Sequence, residues 1–167
     1  MSAARVLVRA AQPGDLPFIL DTWLSSHRQS HHVRGIEGVT YYKEQRRVAE
    51  TLLQRATTLV ACDPESPTTI WGWAIAEEVD AYLVLHFVYV RGGFQDVGIG
   101  TKLVSAFLGA AKGAVAIVYT HQTKAGRKWA DKMAERAPMT AHNGRLPVIY
   151  NPYFMYRTLG AAWSSGG

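Results

Sequence analysis

The sequence predicts one α/β domain, on three observations. Strand-like and helix-like stretches alternate along its 167 residues. Residues 83–103 join a β-branched, aromatic-rich run to an amphipathic helix through a turn that contains glycines. An apolar share of 48% against 19% charged residues suits a chain that buries one sizeable core.

The elements follow in chain order. Residues 5–9 read as a first strand, closed by Gln12-Pro13-Gly14-Asp15. Asp15 stands at the N-cap of a helix that puts Leu16, Ile19, Leu20, Trp23 and Leu24 on one face. Residues 25–40 lack periodicity and read as a loop. Residues 41–56 return to helical spacing, with Val48, Ala49, Leu52 and Leu53 apolar. Strands are expected over residues 58–62, 70–76 and 81–90, with a turn at 63–67. After Gly98, the spacing of Ile99, Leu103, Phe107 and Ala110 predicts a helix. Residues 114–119 are apolar throughout, the pattern of a central strand. Residues 123–137 read as a helix with Ala125, Trp129, Ala130 and Met133 inward, and residues 138–163 as hairpin or irregular structure. The order is β-α-α-β-β-β-α-β-α with a variable end, and no repeat.

Charge and cysteine content narrow the classes. The net charge of +5 favours an acidic partner, a nucleotide or a nucleic acid among them. The single cysteine, Cys62, excludes an internal disulfide and suits a reducing compartment. No basic-then-apolar stretch opens the chain, and its apolar runs are too short to span a bilayer. The expectation is a cytoplasmic protein without a membrane partner.

The turn Gln95-Asp96-Val97-Gly98-Ile99-Gly100 is the most informative segment. Glycines there let a ligand approach the backbone closely. The first N–H groups of the following helix point outward, at the positive end of its dipole, which suits a phosphate.

This Gln-x-x-Gly-x-Gly stretch, with Val90 and Phe94 before it, resembles the central motif of the GNAT superfamily of N-acetyltransferases. The resemblance extends more loosely over residues 6–137. It implies a mixed, mostly antiparallel central sheet with helices on both faces, splayed between the strands at 81–90 and 114–119. It implies acetyl-coenzyme A as co-substrate, with its diphosphate on the amides of Gln95, Asp96, Val97, Gly98, Ile99, Gly100 and Thr101. It also implies that Val88, Tyr89 and Val90 flank the pantetheine arm, which pairs with the main chain of Val88 and Val90 like one more strand.

Transfer to an amine needs a proton acceptor. Many members of the family carry a carboxylate near the middle of the strand that 81–90 resembles. This chain has His86 instead, which reads equally as a base or as a core histidine. Simple alternation puts Val84, His86, Val88 and Val90 on one face. Glu77 and Glu78 close the preceding strand; Glu77 is a candidate base through water, although a solvated strand end is the preferred reading. The tyrosine that often protonates the leaving thiolate has Trp129 in its place, which leaves Tyr119, Tyr150 or Tyr156 as candidates.

Lys124, Lys128, Lys132 and Arg136 line one helix face, read as solvated and partly paired with Asp131 and Glu135. His27, Arg28, His31, His32 and Arg34 make a basic loop that borders the acceptor; their spacing does not make a metal site. Trp71, Trp73, Tyr82, Phe87 and Tyr89 read as sheet packing. The leading expectation is acetyl transfer to a primary amine by direct attack, in a monomer or homodimer. The alternatives are an enzyme of this fold acting on modified nucleic-acid bases or a nucleic-acid-associated protein, and a domain that binds a coenzyme or a protein without turnover.

Overall fold

The computed structural model describes residues 5–122, 127, 128, 130–132, 135, 139, 140 and 144–155. Its elements are β1 (Leu7–Ala10), a 3-10 turn (Pro13–Asp15), α1 (Leu16–Arg28), α2 (Gly38–Arg55), β2 (Thr57–Cys62), β3 (Ile70–Val79) and β4 (Tyr82–Val90). They continue with α3 (Ile99–Ala110), β5 (Ala116–Tyr119), β6 (Met139–Thr140), β7 (Gly144–Arg145) and β8 (Val148–Tyr150). Six strands form one sheet in the order β1-β2-β3-β4-β5-β8, while β6 and β7 pair separately. β1 to β4 are antiparallel; β5 runs parallel to β4, and β8 parallel to β5. The expected mixed sheet and the interior place of β5 are both present.

The two faces of the sheet have separate cores. Ile19 and Trp23 of α1 and Ala49 and Leu52 of α2 pack on Val60, Trp73, Ile75 and Phe87. Trp23 stacks on Trp73 at 5.5 Å and on Phe87 at 5.0 Å, contacts worth about 0.5–1.5 kcal/mol each beyond their buried area. The buried Trp73 indole donates to Thr22 Oγ1 at 2.9 Å, so its polar edge is satisfied. On the other face, Leu103, Val104 and Phe107 of α3 cover Ala74, Leu83, Leu85 and Ile117. Gly72 allows this close seating: a Cβ there would lie 2.7 Å from Tyr89 O and 3.1 Å from Ile99 Cγ2.

Three expectations are corrected. Residues 25–40 are not all loop, since α1 continues to Arg28 and α2 begins at Gly38. The start of α2 is capped by Glu37, whose carboxylate accepts the N–H groups of Val39 and Thr40, and glutamate is not among the usual capping residues. Asp15 does not cap α1: its backbone is already helical, and its carboxylate accepts the Gln12 N–H and pairs with Arg9 at 2.7 Å.

The third correction concerns β4. Ile75 pairs with Phe87 and Ala76 with Leu85, so His86 is the extra residue of a β-bulge. The bulge reverses the alternation. Leu83 and Leu85 face α3 before it, and Val88 and Val90 do so after it. Val84, Phe87 and Tyr89 face the other way. His86 therefore does not share a face with Val88 and Val90.

Candidate functional site

The site has two parts, both organised by β4. The first is the turn that leads from β4 into α3. Gly93 and Gly98 take φ values of +87° and +85°, and Asp96 takes +65°. Only glycine enters that region freely, with asparagine and aspartate next. Phe94 stacks on Trp71 at 4.9 Å, and Gln95 Nε2 donates to Val90 O at 3.2 Å; these two contacts hold the turn against the sheet. The first carbonyl bond of α3 runs from Lys102 N–H to Gly98 O. The N–H groups of Ile99, Gly100 and Thr101 therefore lie in the first turn, without carbonyls of their own helix. Gln95, Asp96, Val97 and Gly98 are exposed, so this end of the dipole opens to solvent.

Next to the turn, β4 has a free edge. β5 pairs only with Tyr82–Leu85, and the Thr120 N–H then bonds Leu85 O. Arg91 N–H bonds Trp71 O, so alternation turns the main chain of Phe87 and Tyr89 toward β3 as well. The N–H and C=O of Val88 thus point into the gap that β5 leaves, as do those of Val90, whose carbonyl meets Gln95. The bulge makes the gap, because it puts the carbonyls of both Leu85 and His86 on the β5 side, where Thr120 meets each.

The second part is a chain of polar side chains on the α1–α2 face. Arg55 Nη2 lies 3.2 Å from Glu77 Oε1, which lies 2.8 Å from His86 Nε2. His86 Nδ1 is 3.1 Å from Thr120 Oγ1, and Thr120 Oγ1 is 3.0 Å from His121 Nδ1. His121 Nε2 is 3.0 Å from Gln45 Nε2. His86 is fully buried, and the Glu77 side chain is 14% exposed. Glu77 is therefore not a solvated strand end. The residue sits opposite Val84, beside the bulge, and turns inward to His86.

His121 is packed edge-on against Trp23 and lies 4.8 Å from the ring of His27. Burial holds His121 well below the ordinary histidine range, with the nearby His27 and His86 adding to the effect. Burial, then the charge of His32, pushes His27 down to about 4. His27 Nδ1 and Trp23 Nε1 are buried without hydrogen-bond partners among the described residues. His27 and Arg28 thus belong to α1 rather than to the basic loop, and Arg28 ties that loop down through the carbonyls of Val33 and Ile36. His32 stacks on Tyr150 at 5.8 Å and approaches Gln122, placing the loop near the end of β5.

The structure brings Glu77 and His86 together but keeps Tyr119 apart from them. Tyr119 packs on the α3 face and rests against Tyr150 at 5.2 Å. Burial raises its pKa. Lys132 reaches Asp96 at 3.2 Å, so its partner is the glycine turn and not the acids of its own segment. Trp129, Tyr156, Lys124 and Arg136 lie outside the described residues, as do Ala125 and Met133. Among the described residues no cluster of His, Cys, Asp and Glu is arranged to hold a metal, and no helix is long and apolar enough to cross a membrane. Sequence reasoning missed Gln45, Arg55, Thr120 and His121. The one available signal was Thr120-His121 directly after the apolar strand, where the chain must leave β4.

No protein-family model matches the sequence, and no curated protein matches it. Solved structures match in fold. An acetyltransferase of the GNAT family from Staphylococcus aureus Mu50 superposes with a TM-score of 0.60 at 13% identity, over 80% of this chain and 84% of that one. The PaiA N-acetyltransferase from Thermoplasma acidophilum, solved in complex with coenzyme A, gives a TM-score of 0.60 at 17% identity, over 84% of this chain and 95% of that one. The chain has the GNAT acetyltransferase fold that its glycine motif implied.

Proposed function

Starting from that fold, we propose that the protein is an acetyl-coenzyme A-dependent N-acetyltransferase acting on a primary amine by direct transfer. The observation that carries this reading is the glycine turn at the start of α3, lying beside a β4 edge that β5 leaves free. The Thermoplasma acidophilum protein of the same fold holds coenzyme A, which supports the same ligand here.

Acetyl-coenzyme A, when bound, supplies the thioester. The amides from Gln95 to Thr101 would hold its diphosphate at the positive end of α3. Val88 and Val90 would offer main-chain groups to the pantetheine arm, with the Tyr89 side chain turned to the opposite face. The Val88 N–H is then available to the thioester oxygen as it gains charge. The Glu77–His86 pair provides a base: the carboxylate orients the ring and faces the charge it acquires. This pair supports catalysis over binding alone, because the acid missing from β4 arrives from β3. Tyr119, kept protonated by burial, is the proton donor for the leaving thiolate in this reading. Cys62 is buried on β2 and suits no covalent step. In the same reading the chain is one domain of a reducing cytoplasm, working as a monomer or homodimer.

The test is calorimetric titration with acetyl-coenzyme A, beside the Gly98→Trp variant. Saturable binding that the variant loses is expected, and it opens a screen of small amines for coenzyme A release. An intact protein that does not bind acetyl-coenzyme A overturns the proposal.

A further inference from the structure

His86 has no exposed surface, so an amine in solution does not reach it directly. At the other end of the chain His121 is half-buried rather than fully buried, beside Gln45. The hydrogen bonds between His121 and Glu77 have a direction that can be worked out from the carboxylate end. An ionised carboxylate only accepts, so His86 Nε2 carries a proton toward Glu77. In the neutral ring Nδ1 then accepts, so the Thr120 hydroxyl gives its one proton to it at 3.1 Å in preference to the more distant His86 carbonyl at 3.4 Å. That hydroxyl has used its proton, so it accepts from His121 Nδ1–H at 3.0 Å. His121 Nε2 is left as an acceptor, and the amide nitrogen of Gln45 lies 3.0 Å away to donate to it. All four contacts agree with one polarity.

We infer that Thr120 and His121 form a one-way proton relay that takes a proton at His121 Nε2 and delivers it to His86 Nδ1 opposite Glu77. The source of the proton, the acceptor amine, rests on the acetyltransferase reading; the direction of the relay does not. The steps balance. A new N–H bond forms at His121 Nε2. The His121 Nδ1–H bond breaks, and its proton passes to Thr120 Oγ1. The Thr120 hydroxyl proton passes to His86 Nδ1. His121 ends neutral in its other tautomer, the Thr120 hydroxyl is restored, and His86 carries the charge against Glu77. Gln45 turns its amide so that Oε1 accepts the new Nε2–H.

The surroundings favour this distribution of charge. His121 faces His27 of α1, Gln45 of α2 and His86 of β4. His86 faces Glu77 of β3, which Arg55 of α2 holds in place. Glu77 thus stands opposite the charge at the His86 end of the relay. In this arrangement His121 is the catalytic residue, while Thr120 is a positioning residue that connects it to His86.

Imidazole nitrogen NMR of the uniformly 15N-labelled protein tests the relay without any substrate. The expected spectrum has His86 protonated at Nε2 and His121 at Nδ1. Thr120→Val removes the hydroxyl at nearly constant shape and should abolish the His121 preference, while Thr120→Ser should keep it. His121 protonated at Nε2 in the parent protein overturns the relay, as does an unchanged His121 spectrum in Thr120→Val. In acetyl-transfer assays, Thr120→Val should lower kcat about 100-fold with coenzyme affinity retained, and Thr120→Ser should restore most of it. Full kcat in Thr120→Val also overturns the proposal. Should no amine be turned over, the acetyltransferase reading falls, and the tautomers alone decide the relay.

Discussion

The glycine turn and the histidine chain are adjacent along β4 but built in opposite ways. The turn is one continuous segment, exposed over residues 95–98, and the groups it presents are backbone amides set by φ angles of +65° to +87°. The histidine chain is drawn from α2, β3, β4 and the residues after β5, with partners up to 76 positions apart, and its working groups are side chains. A backbone site depends on conformation and tolerates most side-chain changes. A buried side-chain network depends on every member, because each lost partner leaves a polar group unpaired.

Variants at His86 and Glu77 should separate the two regions most. Glu77→Gln and His86→Phe are each expected to lower acetyl-transfer kcat by roughly 10²–10⁴-fold while the coenzyme Kd stays near the parent value. A matching loss of coenzyme affinity in calorimetry would show that the two regions are one unit.

The pH dependence of stability is the next largest effect. His27 titrates at about 4 in the folded protein against an ordinary 6.5. Between those values the unfolded chain binds more protons, so stability is full above 6.5 and falls as pH drops toward 4, by about 3 kcal/mol for this group alone. His121 shifts in the same direction and adds to the loss. Denaturant midpoints at pH 7 and pH 4.5 should lie closer together in His27→Phe than in the parent; an equal gap would count against the assignment.

At the turn, Gly98→Ala should weaken acetyl-coenzyme A binding about tenfold, in line with a left-handed cost of roughly 1–2 kcal/mol for a residue with a Cβ. That Cβ would meet nothing within 4 Å, so the loss is conformational, and the larger Gly98→Trp effect measures occlusion in addition. The smallest change should come from Asp96→Asn. It breaks the exposed contact with Lys132, but asparagine also accepts a positive φ, and the Kd should move by no more than about twofold. A large effect there would mean that the turn binds through side chains after all.

The same contrast separates what local sequence carries from what it does not. The strand, glycine turn and helix over residues 83–103 were legible because a local motif and its periodicity lie in one stretch of chain. The end of α1 and the start of α2 were not, since Glu37 caps where shorter side chains usually do. The inward turn of Glu77 was illegible because a charged residue at a strand end normally faces water. The face of His86 was misread because alternation assumes a regular strand, and a bulge depends on the register of the partner.

Local pattern by itself thus determined the α/β class, the central strands, the glycine turn and the family whose fold the chain shares. Those features follow from the conformational preferences and apolar spacing of neighbouring residues. Tertiary structure alone decided that His86 sits on a bulge, that Glu77 and Arg55 reach it from one side, and that Thr120, His121 and Gln45 continue from the other. Such contacts join residues distant in sequence. They exist only once sheet register and helix packing have put those residues within hydrogen-bond distance.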